Sequence, residues 1–102
     1  EGPAGRLVNR NVMDFLKSKP DQPYDIIFID PPYMEIDRLC PQIFDIIRQE
    51  NFLTRNGRII LESPGEKVLQ FTGWELAKVL GKEKRGSPVH RIYLPAQPLP
   101  AQ

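Results

Sequence analysis

Four consecutive residues, Ile26-Ile27-Phe28-Ile29, are β-branched or aromatic, and they run directly into Asp30-Pro31-Pro32-Tyr33. A short apolar run of this kind predicts a strand buried on both faces, as in the middle of a parallel sheet. The two prolines forbid further ladder pairing, so the strand must stop at about Asp30. In open α/β sheets, ligands bind just beyond the carboxyl ends of strands. The tetrapeptide falls at that position.

Its chemistry is specific. Pro31 pushes Asp30 toward an extended backbone, and both prolines restrict φ, so the loop is stiff. Neither proline has an N–H, but both carbonyls can accept. A carboxylate beside a fixed carbonyl is a set of acceptors with no competing donors, which suits an exocyclic amino group. Accepting both of its protons draws the nitrogen lone pair out of conjugation with its ring, and the carboxylate stabilises positive charge growing there. Preorganised groups of this kind contribute on the order of 3 kcal/mol each. Tyr33 offers a ring on which a base can stack, an interaction of about 1–3 kcal/mol. The same residues also suit an ordinary strand-ending turn, so the motif needs its context.

Context comes from the rest of the chain. Its 102 residues allow one small domain. The formal charge of +1 gives no global nucleic-acid signature, so any basic patch is local. The single Cys40 excludes an intramolecular disulfide, fits a reducing, cytoplasmic setting, and reads as a small apolar residue near a helix start. No apolar stretch approaches a membrane span, and the start does not resemble a signal peptide.

Arg6 to Asn9 is a short strand. Asn11 to Lys19 reads as a brief helix, with Asn11 as N-cap and Val12, Phe15 and Leu16 on one face. Beyond the Asp30 motif, a loop over Met34 to Arg38 enters a helix running to about Glu50, with Asp37 as one cap. Leu39, Ile43, Ile46 and Ile47 form its buried face, and Asn51 ends it. Asn56-Gly57 is a turn and Arg58 to Glu62 a central strand, broken by Ser63-Pro64-Gly65. Glu66 to Gln70 has room for one helical turn. Trp74, Leu76, Val79 and Leu80 suit a helix or a long strand. Gly86-Ser87-Pro88 then precedes an apolar run from Val89 to Leu94. Lys82, Lys84, Arg85 and Arg91 form a basic cluster, read as a solvated face or as phosphate contacts. His90, a lone histidine, reads as structural. The Pro-rich tail over 97–102 is expected to be poorly ordered.

An Asp/Asn-Pro-Pro-Phe/Tyr motif after an apolar strand resembles the amino-methyltransferases that use S-adenosyl-L-methionine. The wider order is similar to one branch, the RsmD-like methyltransferases of the N2 amine of a guanine in 16S ribosomal RNA. The resemblance begins with Arg6-Leu7-Val8 and Asn11-Val12-Met13-Asp14-Phe15-Leu16. It continues through the Asp30 motif, Gly57-Arg58-Ile59-Ile60-Leu61-Glu62, Trp74, Lys84-Arg85-Gly86 and Arg91-Ile92-Tyr93-Leu94.

The resemblance implies an α/β fold: a partial Rossmann-like, class I methyltransferase sheet with a C-terminal antiparallel hairpin. Trp74 onward is then mostly strand, pairing with Val89 to Leu94. Residues 1–94 become the C-terminal part of an S-adenosylmethionine-dependent domain, and 95–102 a tail. It also implies roles. Asp30, Pro31, Pro32 and Tyr33 are the catalytic set, with Tyr33 meeting substrate, and Asn11, Val12 and Met13 meet the adenine of the cofactor; on the phosphate reading of the basic cluster, Lys84 and Arg85 also meet substrate. The implied partner is ribosomal RNA or a small-subunit assembly intermediate, with no membrane.

The family's glycine-rich cofactor turn and its ribose-binding acid are not matched in this chain. The strand ending at Asp30 therefore lacks its family neighbour. Either Arg6–Asn9 moves in to cover that edge or two copies associate along it, and the isolated chain should bind cofactor weakly and be inactive. Two other readings remain: an adenine-N6 methyltransferase of DNA or RNA, and a non-catalytic interaction module on the same fold.

Overall fold

The computed structural model describes residues 4–8, 12–17 and 21–96. They form one mixed five-stranded sheet, in the order β1-β2-β3-β5-β4, with helices. The strands are β1 (Ala4–Val8), β2 (Tyr24–Asp30), β3 (Leu53–Pro64), β4 (Trp74–Leu80) and β5 (Pro88–Pro95). The helices are α1 (Val12–Lys17) and α2 (Ile36–Gln49). β1, β2 and β3 are parallel, and β5 pairs antiparallel with both β3 and β4. The expected partial Rossmann-like sheet and antiparallel hairpin are both present.

The edge of β2 is covered within the chain. β1 lies along it in register, from Ala4 opposite Ile26 to Val8 opposite Asp30. Of the two expected outcomes for that edge, this is the first, and β2 has a strand on either side.

One expectation about β2 needs correction. Ile27 and Ile29 are fully or nearly fully buried, but Phe28 on the other face is 39 % exposed. The reason is the distribution of helices. Leu16 of α1 and Ile36, Cys40, Ile43, Phe44 and Ile47 of α2 share one core cluster with Ile27, Ile29, Ile59, Leu61 and Tyr93. Among the described residues both helices therefore pack on one face, and side chains alternate between faces along a strand.

α2 follows from its pattern. Its buried positions recur at helical spacing, and they include Ile36 and Phe44, which the sequence reading did not place in the core. Asp37 lies inside the helix rather than capping it, and Pro41 is accommodated in its interior. The helix ends at Asn51, which adopts the left-handed conformation (φ 57°). The N–H of Phe52 donates to the Ile47 carbonyl (3.1 Å) and that of Asn51 to Arg48 (3.5 Å). This is a Schellman motif, and Phe52 and Ile47 add the apolar contact that accompanies it.

β3 begins earlier than the Asn56-Gly57 turn suggests. Its register to β2 shifts between Tyr24↔Leu53 and Ile26↔Arg58, so Asn56-Gly57 forms a bulge inside the strand. The bulge is pinned by Thr54 Oγ1, 2.7 Å from Asp25 Oδ1. A Cβ at Gly57 would come within 2.9 Å of Leu53 Cβ. Glu66 to Gln70 is not helical, because Leu69 and Phe71 turn into the core instead. There Phe71, Trp74 and Tyr93 surround Phe44 with ring centroids 4.1 to 5.3 Å apart.

Candidate active site at the carboxyl ends of β2 and β3

The stiff turn forms as its prolines dictate. Pro32 has φ −59° and ψ 137°, and a single 3-10 turn, Tyr33–Glu35, links it to α2. The Pro32 carbonyl accepts the N–H of Glu35 at 2.9 Å. Because that carbonyl already closes the turn, Pro31 is the better placed of the two to offer a second acceptor. Pro31 is buried and Pro32 exposed.

Asp30 ends β2, half-buried, on the open face of the sheet with Phe28. Parallel pairing of Ile29 with Leu61 sets Glu62 of β3 beside it. Antiparallel pairing sets His90 of β5 opposite Glu62, with His90 Nε2 3.5 Å from Glu62 Oε1. Phe28, Asp30, Ile60, Glu62 and His90 line one cavity of about 210 Å³. Tyr33 stands at its side, 42 % exposed. Its phenol lies within electrostatic reach of the Glu62 carboxylate. Burial, followed by the negative charges of Glu62 and Asp30, pushes the Tyr33 phenol above its usual range, so it stays a neutral donor.

Tyr33 also lines a second cavity of about 310 Å³, closed on its far side by Gly86, Ser87 and Pro88 of the β4–β5 hairpin. Lys84 and Arg85 are exposed on that hairpin loop, next to this wall. Arg91, grouped with them from sequence, is not part of the patch. It is 1 % exposed, because its position on β5 faces the core side. Its guanidinium donates to Ser63 Oγ (2.5 Å) and to the carbonyls of Pro64 and Gly65 (3.1 and 3.3 Å), and lies 3.5 Å from Glu83. Arg91 thereby ties the end of β3 to the hairpin.

Asn11 lies outside the described residues. Val12 and Met13 open α1, just after β1, whose carboxyl end the register sets beside Asp30. The sulfonium of S-adenosylmethionine is a cation, and the carboxylates at this end of the sheet suit it. Glu62 and His90 are the site residues that sequence reasoning missed. The signal for Glu62 was its place at the end of a second central strand; finding His90 required the hairpin register.

A family model described as conserved hypothetical protein 95 matches residues 2–93. The ribosomal RNA small subunit methyltransferase D of Haemophilus influenzae is 29% identical over 89 residues, covering 85% of this chain and 44% of its own length. Its counterpart in Buchnera aphidicola subsp. Baizongia pistaciae is 30% identical over 87 residues, covering 82% and 41%. A crystal structure from Haemophilus influenzae, described as that of a candidate methylase, superposes with a TM-score of 0.62 at 30% identity. It covers 84% of this chain and 47% of that one. The chain spans less than half the length of each of these relatives.

Proposed function

This chain belongs to the family described as conserved hypothetical protein 95, the RsmD-like group its motifs resemble, and on that premise we propose that it carries the base-binding half of a ribosomal RNA methyltransferase site. The proposed reaction is methylation of the N2 amine of a guanine in 16S ribosomal RNA, presented by a small-subunit assembly intermediate. The observation that carries it is the placing of Asp30, the Pro31 carbonyl and Tyr33 in one stiff turn at the carboxyl end of a central strand.

S-adenosylmethionine, when bound, supplies a methyl group carried on a sulfonium. The residues of this chain prepare the amine to receive it. Asp30 accepts one N2 hydrogen and the Pro31 carbonyl accepts the other, so the nitrogen lone pair is freed from the ring. The Asp30 carboxylate then offsets the positive charge that grows on nitrogen. The Tyr33 ring stacks on the base, which must leave its own stack to reach the turn. Lys84 and Arg85 meet backbone phosphates beside the hairpin wall, where contacts position rather than specify. Val12 and Met13, with Asn11, meet the cofactor's adenine.

The test is methylation of small-subunit assembly intermediates by the full-length protein, followed by nucleoside digestion and mass spectrometry. N2-methylguanosine is expected. N6-methyladenosine would instead assign the adenine reaction. Absence of any methylated nucleoside, together with no cofactor binding in a titration, would leave the non-catalytic module.

A further inference from the structure

Resting on the reading above, we propose that Glu62 accepts the N1–H of the target guanine and so selects guanine against bases whose N1 carries a lone pair. Asp30 and Glu62 stand side by side on neighbouring parallel strands and line the same cavity. On the neighbouring strand β5, His90 Nε2 lies 3.5 Å from Glu62 Oε1. A carboxylate has about four lone-pair directions, so this one neighbour leaves Glu62 able to accept from a ligand.

The shape of the acceptor set decides the base. Guanine presents N1–H next to the N2 amine, a continuous row of donors. Two adjacent carboxylates and a carbonyl match that row without a competing donor. Adenine presents its amine next to an N1 lone pair. With the amine on Asp30, that lone pair would face the Glu62 carboxylate, an acceptor against an acceptor in a partly enclosed site. Unpaired polar groups of this kind are what a hydrogen-bonding site uses to reject an analogue. Tyr33 stacks on either base and does not discriminate. Glu62 is therefore a specificity-determining residue.

2-Aminopurine separates the parts, because it keeps the amine at C2 but carries a lone pair at N1. The full-length protein and its Glu62→Gln variant are assayed with S-adenosylmethionine on an RNA holding guanine or 2-aminopurine at the target position. The wild type is expected to methylate 2-aminopurine roughly 10-fold or more slowly than guanine. In Glu62→Gln the side-chain amide can donate to the N1 lone pair, so the ratio should narrow to within about threefold. A merely structural role for Glu62 would slow both bases alike and leave the ratio unchanged. Equal wild-type rates on the two bases, or an unchanged ratio in Glu62→Gln, overturns the assignment while N2-methylguanosine still forms. If the wild type forms no N2-methylguanosine at all, the underlying reading has failed and the role of Glu62 falls with it.

Discussion

Asp30 differs from Glu62 beside it in being followed by two prolines. Its backbone is fixed by Pro31, so its carboxylate needs no reorganisation to meet an amine. In the full-length protein, Asp30→Ala should lower the methyl-transfer rate by about 100-fold or more, the scale expected for one preorganised group. Its circular dichroism should not change, because the half-buried side chain carries little packing. Asp30→Asn keeps one acceptor oxygen and should be milder. Wild-type turnover in Asp30→Ala would remove Asp30 from the chemistry. Tyr33 divides into ring and hydroxyl. Tyr33→Ala loses the stacking platform, at a cost of about 1–3 kcal/mol in base binding. Tyr33→Phe keeps the platform and removes only the hydroxyl. Binding measurements on the two variants should therefore separate, with the larger loss in Tyr33→Ala; equal losses would make the hydroxyl, not the ring, the important group.

The β4–β5 hairpin shapes the site only because the end of β3 grips its loop. Gly65 is the point of contact. Its N–H donates to the Ser87 carbonyl at 2.7 Å. A Cβ there would lie 2.6 Å from both the Lys82 and Ser87 carbonyl oxygens. Those are backbone atoms at the root of the loop and cannot swing away as a flexible side chain would. Gly65→Ala should therefore destabilise the fold by about 1–3 kcal/mol, as overpacking does, read from the midpoint of urea unfolding. An unchanged midpoint would mean that the loop is free to retreat. β2, the second half of β3, β5, α2 and its end at Asn51 were legible in the sequence, because prolines, periodicity and a terminal asparagine act locally, whereas β4 was a strand only through the family resemblance. Three features were not legible. Arg91 read as one more surface cation, since only the register of β5 tells which side of the strand faces the core. Glu66 to Gln70 read as a helical turn, since nothing local shows that Leu69 and Phe71 pack against Phe44 and Tyr93. Phe28 read as buried, since a central strand's apolar run does not say which faces have helices over them. In the site, Asp30 and Tyr33 were legible from the motif; Glu62 and His90 became part of it only through pairing between strands distant in sequence.

At the scale of the whole molecule, one side of the sheet holds most of the packing among the described residues, and Cys40 and Tyr93 are buried there. Cys40 is fully buried in α2. Burial first, and then the nearby Asp37, push its thiol from an ordinary 9.0 up to about 12. Tyr93 is buried in the same core and donates its hydroxyl to the Leu69 carbonyl at 2.8 Å. Its phenol is also pushed from 10.0 up to about 12, by burial and by Cys40, against the opposite pull of Arg91. Both groups therefore hold their protons in the folded state where the unfolded chain would lose them. The sign follows from linkage. Where the folded state binds more protons, stability falls as pH rises, by up to about 1.4 kcal/mol per pH unit for each proton. The stabilisation from Cys40 is complete below about 9, that from Tyr93 below about 10, and both are lost by about 12. Urea midpoints measured across that window should fall steadily with pH. In the double variant Cys40→Ala, Tyr93→Phe the midpoint should start lower, through a lost hydrogen bond and a small cavity, and then vary much less with pH. The thiol of the folded wild type should likewise resist a maleimide at neutral pH and react only after unfolding. A wild-type midpoint that stays level across the window, or rapid labelling of Cys40 in the native state, would mean that this side of the sheet is open to water and that the packing of α2 over β2 and β3 is not what shields it.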